Sequence, residues 1–129
     1  MTLVAALVDD LMFVSRIREA AKASSSEVRT VRNVDAVRAA VKEGATLVLL
    51  DLDSPRLPWA DALRALASEP DLAGASSVGF VGHANETAIR TAREAGCTQV
   101  LARGAFVQRL PEILAGPPQG SAGPRARMV

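Results

Sequence analysis

Three aspartates stand directly after short apolar segments of the chain. Asp9 and Asp10 follow residues 3–8, and Asp51 follows residues 47–50. If they meet, such carboxylates repel one another, and a hard divalent cation such as Mg²⁺ relieves that repulsion. A metal-bound phosphoryl group facing Asp51 would then meet a carboxylate nucleophile and form an aspartyl phosphate. These residue types therefore indicate phosphoryl chemistry with a divalent metal.

Five short apolar runs and the helical patterns between them predict the elements that position these acids. Most of the runs lack polar alternation, which is typical of strands covered on both faces. Strands that alternate with helices form parallel β-α-β units with right-handed crossovers. The sequence thus predicts an α/β fold with a doubly wound, five-stranded parallel sheet. Its strands are predicted at Leu3–Val8, Val28–Val31, Leu47–Leu50, Val78–Val81 and Gln99–Ala102.

In the flavodoxin-like strand order the first and third strands are neighbours, and their carboxyl ends meet at one edge of the sheet. We therefore expect Asp9, Asp10 and Asp51 to converge there. A simpler interpretation is that one or two of these acids cap helices or face water. Asp10 is placed to cap the first helix.

Polar and glycine residues mark the predicted helix ends. Asn33 and Asn85 are placed to cap the second and fourth helices, because their side chains accept from free backbone N–H groups. Gly44 and Gly96 follow the same two helices, where glycine tolerates a left-handed conformation. Pro111 is expected to shift the start of the last helix or to kink it.

Composition excludes several function classes. Fifteen basic and fourteen acidic residues give a net charge of +1, which argues against an electrostatic nucleic-acid binder. The chain has no tyrosine, one tryptophan and three phenylalanines, too few for an aromatic surface that stacks bases. The single cysteine, Cys97, excludes an internal disulfide and a cysteine-rich metal cluster.

The 129 residues predict one domain over residues 1–115. Residues 116–129 are rich in proline and glycine and predict a flexible tail. The amino terminus is interrupted too early by acids to be a signal peptide, and no apolar run reaches the ~20 residues of a membrane span. We therefore expect a cytoplasmic protein without membrane association.

The segments VDDLMFVSRI after the first strand and VLLDLDSP at the end of the third resemble the receiver domain of bacterial response regulators. Asp51, with Pro55 four residues later, matches the acceptor aspartate and its following proline. The segment AGCTQVLAR resembles the run into the fifth strand of that family. The resemblance covers residues 3–115 and implies the (βα)5 receiver fold.

The resemblance also implies a role for each matching residue. Asp51 would accept a phosphoryl group from a phosphohistidine on a partner kinase. Asp9, Asp10 and Asp51 would bind Mg²⁺, with the backbone carbonyl of Asp53 as a further ligand.

Several positions depart from the family pattern. At the end of the fourth strand, where the family has a phosphoryl-binding hydroxyl, this chain has Gly82 or His83. Arg103 replaces the family lysine, and its planar fork is not equivalent to a compact ammonium group. Val100 stands at the position of the switch aromatic, and Asp53 adds negative charge beside the expected phosphoryl position. Arg103, His83 and Gly82 are the remaining candidates for contact with a phosphoryl group.

The sequence favours an atypical, stand-alone receiver domain that acts in bacterial signal transduction by protein–protein interaction, with weak or absent phosphorylation of Asp51. Its partner would be a signalling protein or a histidine kinase, and pairing with a second copy stays open. No catalysis is expected beyond self-phosphorylation and autodephosphorylation at Asp51.

Two alternatives remain. One is a functional receiver that takes phosphate on Asp51 from a histidine kinase. A more distant one is a phosphatase of the haloacid-dehalogenase type, with Asp51 and Asp53 as a D-x-D nucleophile loop. The second alternative lacks the lysine that such an enzyme needs, since no lysine follows Asp53.

Overall fold

The computed structural model describes residues 2–82, 84–115 and 127–128. Its strands are β1 (Thr2–Leu7), β2 (Ser26–Thr30), β3 (Ala45–Asp51), β4 (Ser76–Val81), β5 (Gln99–Ala102) and β6 (Arg127–Met128). Its helices are α1 (Leu11–Ala23), α2 (Val34–Lys42), α3 (Trp59–Ser68), α4 (Glu86–Glu94) and α5 (Arg103–Ala115), with a short 3₁₀ turn at Pro70–Leu72.

The strands form one parallel sheet in the order β2-β1-β3-β4-β5-β6. This arrangement confirms the predicted α/β fold, because β1 to β5 are the five predicted strands in the predicted flavodoxin-like order. The carboxyl ends of β1 and β3 are adjacent, since Leu7 of β1 pairs with Leu50 of β3. The topology therefore brings the residues that follow these two strands to one edge of the sheet.

The two faces of the sheet carry separate apolar clusters. Along β1, the side chains of Val4 and Ala6 enter one cluster and those of Ala5 and Leu7 the other. This alternation follows from the two-residue period of a strand. The first cluster packs against α1 and α5, and the second packs against α2, α3 and α4. Helices thus cover both faces, which explains why the strands read as continuous apolar runs.

The predicted capping residues lie where the sequence placed them. Asn33 accepts a hydrogen bond from the backbone N–H of Ala36, and Asn85 accepts one from Ala88. Gly44 and Gly96 follow α2 and α4 with φ of 118° and 93°, in the left-handed region that glycine tolerates.

The last helix, α5, runs from Arg103 to Ala115 with Pro111 inside it, and the expected kink at Pro111 stays a prediction. Its start is set by the end of β5, from which it follows without an intervening loop. Within the described ranges, no helix is both long and apolar enough to cross a membrane.

The carboxyl-terminal segment adds one element that the sequence did not predict. Arg127 and Met128 form β6, which pairs with Gln99 and Val100 of β5 at the edge of the sheet. Residues 116–126 and Val129, which belong to the predicted flexible tail, lie outside the described residues.

Candidate functional site

A polar pocket of about 400 Å³ opens at the carboxyl edge of the sheet. It lies at the position where open α/β sheets bind ligands. The pocket contains all the predicted acids together with three arginines. Its lining consists of Asp9, Asp10, Arg32, Asp51, Asp53, Ser54, Pro55, Arg56 and Arg103.

Asp51 ends β3 and is almost completely buried, with 4% of its surface exposed. Its Oδ1 accepts a hydrogen bond of 3.0 Å from the backbone N–H of Asp53 and lies 3.6 Å from Nη1 of Arg103. Burial raises the pKa of Asp51, while the Asp53 N–H and the Arg103 charge act in the opposite direction. The predicted acceptor thus sits at the floor of the pocket with a cation beside it.

The two acids after β1 have different surroundings. Asp10 caps α1, because its Oδ1 accepts from the backbone N–H groups of Met12 at 2.9 Å and Phe13 at 3.3 Å. Asp9 instead accepts a long hydrogen bond of 3.5 Å from Oγ of Ser54. The interpretation of Asp10 as a helix cap is therefore correct, and one carboxylate oxygen of Asp10 is hydrogen-bonded to the backbone of α1.

Arg103, the first residue of α5, lies among three carboxylates. Its guanidinium nitrogens are 2.9 Å from Asp53, 3.6 Å from Asp51 and 3.9 Å from Asp10. The carbon at the centre of that group lies 4.4 Å from the ring centroid of Phe13 and 5.5 Å from that of Phe80. Ring faces attract cations, so these contacts help to hold the guanidinium over the pocket.

Asp53 is the most extensively hydrogen-bonded acid of the pocket. Its carboxylate accepts from the backbone N–H of Gly82 at 2.8 Å, from Nδ2 of Asn85 at 2.9 Å and from Nη1 of Arg103 at 2.9 Å. Burial alone would raise the pKa of Asp53, but these three interactions outweigh it, and the pKa lies below its ordinary value. The charged form of this side chain is therefore built into the site.

The sequence did not identify the second role of Asn85 or the contact between Asp53 and Gly82. The sequence predicts that the side-chain oxygen of Asn85 caps α4. Nothing in the spacing of residues indicates a partner for the side-chain NH₂ group, which donates to Asp53. Asp53 and Gly82 are 29 residues apart, and they meet because β3 and β4 are adjacent in the sheet.

The acids that the resemblance assigns to a metal meet at one pocket, but they have other partners in this structure. Asp10 is engaged by the backbone of α1, and Arg103 faces Asp10, Asp51 and Asp53 from within the pocket. Among the described residues, no group of three or more His, Cys, Asp or Glu side chains is placed to hold a metal ion. The Arg103 guanidinium lies beside three of these carboxylates, and Mg²⁺ binding stays a prediction.

The predicted phosphoryl-contact residues are only partly described. Arg103 lines the pocket, and both Arg103 and the backbone N–H of Gly82 donate to Asp53. His83 lies outside the described residues. Their contact with a phosphoryl group stays a prediction.

Comparison with solved structures identifies the fold as that of response-regulator receiver domains. A response regulator from Hahella chejuensis superposes with a TM-score of 0.75 at 15% identity, over 89% of this chain and 93% of its own. The receiver domain of the sensor histidine kinase PA1611 from Pseudomonas aeruginosa PAO1, solved with a magnesium ion in its active-site cleft, gives 0.72 at 16% identity, over 88% and 93%. The chemotaxis response regulator CheY4 of Vibrio cholerae gives 0.71 at 14% identity, over 88% and 96%.

At these identities the comparison establishes the fold of the chain. No protein-family model and no curated protein sequence matches it.

Proposed function

We propose that this chain is an atypical receiver domain that acts in signal transduction by binding another protein, with weak or absent phosphorylation of Asp51. The receiver fold supports the signalling role. The arrangement around Arg103 and Asp53 supports the restriction on phosphorylation. The cytoplasmic location expected from the sequence stays a prediction.

One observation carries the proposal: Arg103 and Asp53 form an ion pair beside Asp51, within the same pocket. The Arg103–Asp53 ion pair is 2.9 Å long, and the same guanidinium nitrogen lies 3.6 Å from Asp51. An incoming phosphoryl group would compete with Asp53 for the Arg103 guanidinium and would meet the negative charge of Asp53. Both effects raise the free energy of an aspartyl phosphate at this position.

The same arrangement lowers the expected affinity for Mg²⁺. If the ion binds, Asp9 and Asp51 offer carboxylate oxygens, and the Asp53 carbonyl is the further ligand that the resemblance implies. A bound divalent ion would neutralise charge on an attacking carboxylate and on a phosphoryl donor. Asp10 would have to leave the backbone of α1 with one oxygen, or bind through the other.

The proposed partner is a signalling protein such as a histidine kinase, and the proposed contact surface is formed by α4, β5 and α5. This surface is adjacent to the site, since Asn85 caps α4 and Arg103 begins α5, and both residues contact Asp53. Self-association through the same surface is open to a size-exclusion measurement.

The alternative of a functional phosphoacceptor retains support from the position of Asp51, which reaches the pocket floor. Amide NMR shifts upon addition of Mg²⁺ and beryllofluoride, a phosphoryl mimic, separate the two functions. We expect small, unsaturable shifts in the wild-type chain. Saturable shifts around Asp51 that disappear in Asp51→Asn would contradict the proposal and establish phosphoryl acceptance.

The phosphatase alternative is tested by turnover of p-nitrophenyl phosphate. We expect none above the rate of the Asp51→Asn variant, because no lysine follows Asp53 in the sequence to assist the reaction. Turnover that depends on Asp51 would instead support an enzyme.

A further inference from the structure

The carboxylate of Asp53 is held by three donors that lie 29 to 50 residues away in the sequence. The backbone N–H of Gly82 follows β4, the side-chain amide of Asn85 precedes α4, and the guanidinium of Arg103 begins α5. They donate at 2.8, 2.9 and 2.9 Å respectively. We call these three donors the oxyanion cradle.

The donors of the oxyanion cradle suit other oxyanions as well as the carboxylate of an aspartate. A backbone N–H, a carboxamide and a guanidinium are the donors that proteins direct at carboxylate and phosphate oxygens. Hydrogen bonds to a charged group are short and strong, and the three donor–acceptor distances to Asp53 are correspondingly short. Arg103 is also fixed by its stacking over Phe13, so the cradle does not depend on Asp53 alone for its geometry.

We propose that Asp53 is a built-in anion: its carboxylate occupies a cradle that would otherwise bind inorganic phosphate or a phosphoryl group. The chain thereby makes from its own residues the contacts that an external oxyanion would supply. The pocket beside it has room for such a ligand and carries two further arginines, Arg32 and Arg56, in its lining.

The internal anion also fixes the start of α4. Asn85 donates its amide to Asp53 and accepts from the backbone N–H of Ala88 with its side-chain oxygen at 3.2 Å. A single side chain thus links the loop after β3 to the first turn of α4. The inference that Asp53 occupies the oxyanion cradle does not depend on the proposed function. The inference that a fixed α4 affects partner binding does rest on the proposed function.

Removal of the carboxylate tests the proposal. The ¹⁵N-labelled full chain is compared with Asp53→Ala while inorganic phosphate replaces chloride at constant ionic strength, without Mg²⁺. We expect the Gly82 amide of the variant to shift saturably, with an apparent Kd for phosphate at least about tenfold lower than in the wild type. Equal and weak phosphate binding by both proteins would overturn the proposal.

A matched control removes an acid elsewhere. Asp61 lies on α3 and pairs with Arg64 at the surface, so Asp61→Ala lowers the negative charge by the same amount without touching the cradle. We expect its phosphate response to equal that of the wild type. An equal gain in Asp61→Ala and Asp53→Ala would mean that net charge alone drives binding, which also overturns the proposal.

Asp53→Asn keeps the experiment decisive if Asp53→Ala does not fold. Its carboxamide retains the shape of the side chain but is a weaker acceptor, so we expect the Gly82 amide proton to move upfield relative to the wild type. An unchanged Gly82 resonance would show that the carboxylate does not hold this N–H. Neither measurement uses Mg²⁺ or beryllofluoride, so their failure is distinguishable from failure of the proposed function.

Discussion

At the scale of single residues, one guanidinium group determines the electrostatics of the site. Arg103 is near Asp10, Asp51 and Asp53 at once, and its side chain is about one-third exposed. A lysine ammonium is a compact charge, whereas the planar guanidinium contacts more than one carboxylate and also lies against the face of Phe13. The arginine at this position, which the sequence already distinguishes from a lysine, therefore changes the contacts within the pocket.

Removal of this cation is expected to destabilise the fold. Arg103→Ala would leave partly buried carboxylates without their partner, and we expect the free energy of unfolding to fall by about 1–3 kcal/mol. Urea denaturation at neutral pH measures the change. Arg109→Ala is the matched control, since Arg109 lies on the same helix with similar exposure but pairs only with the exposed Glu112 among the described residues. Equal losses in the two variants would contradict the importance assigned to Arg103.

At the scale of elements, the packing of two neighbouring strands positions the loop that follows β3 and carries Asp53. A Cβ atom added to Gly79 of β4 would lie 2.7 Å from Cδ1 of Leu52, the buried residue that follows Asp51. The small residue in β4 thus leaves room for Leu52, and Leu52 anchors the loop that carries Asp53. The backbone N–H of Leu52 also donates to the carbonyl of Phe80 at 3.0 Å.

Gly79→Val tests this packing. Valine favours strands, but its side chain would overlap with Leu52, and we expect a loss of about 1–3 kcal/mol in the free energy of unfolding. A compensating variant, Gly79→Val with Leu52→Ala, should recover part of the loss because it removes the overlapping atoms. Stability equal to the wild type in the single variant would show that Leu52 moves without penalty.

A second link between elements joins α2 to the residue after α3. Arg38 donates to both oxygens of Glu69 at 2.8–3.0 Å. These hydrogen bonds lower the pKa of Glu69, although burial acts in the opposite direction. The charged form is favoured in the folded state, so its stabilisation is complete above the ordinary glutamate pKa of about 4.3. It is lost as the pH falls through the lowered pKa.

The lowered pKa of Glu69 predicts how the stability of one variant depends on pH. The unfolding free energy of Glu69→Gln should lie below that of the wild type at neutral pH, and the gap should narrow as the pH falls below about 4. In an Arg38→Gln background the gap should be smaller at neutral pH, because the partner is absent. A gap that widens towards low pH would contradict the assignment.

At the scale of the whole molecule, both apolar clusters are formed by residues from the first strand to the last helix. Among the described residues, their buried members lie between Val4 and Leu114. The edge strand β6 adds only two residue pairs to β5. In the predicted division into a domain at residues 1–115 and a tail at 116–129, these cluster residues all belong to the domain.

Truncation after residue 115 tests this division. We expect the shortened chain to retain its free energy of unfolding within about 0.5 kcal/mol, because the truncation removes none of the described residues of either apolar cluster. Circular dichroism during urea denaturation measures it. A much larger loss would show that the carboxyl-terminal segment is part of the folded domain.

The sequence by itself determined the alternation of elements, the order of the strands and the edge at which the acids meet. Apolar runs, caps and glycines are local signals, and parallel crossovers restrict how they combine. The tertiary structure alone decided that Arg103 pairs with Asp53 beside Asp51, and that Asn85 joins Asp53 to α4. These contacts link residues up to 50 positions apart. No local pattern encodes them, since they depend on which loops the sheet brings together and where each side chain then finds its partner.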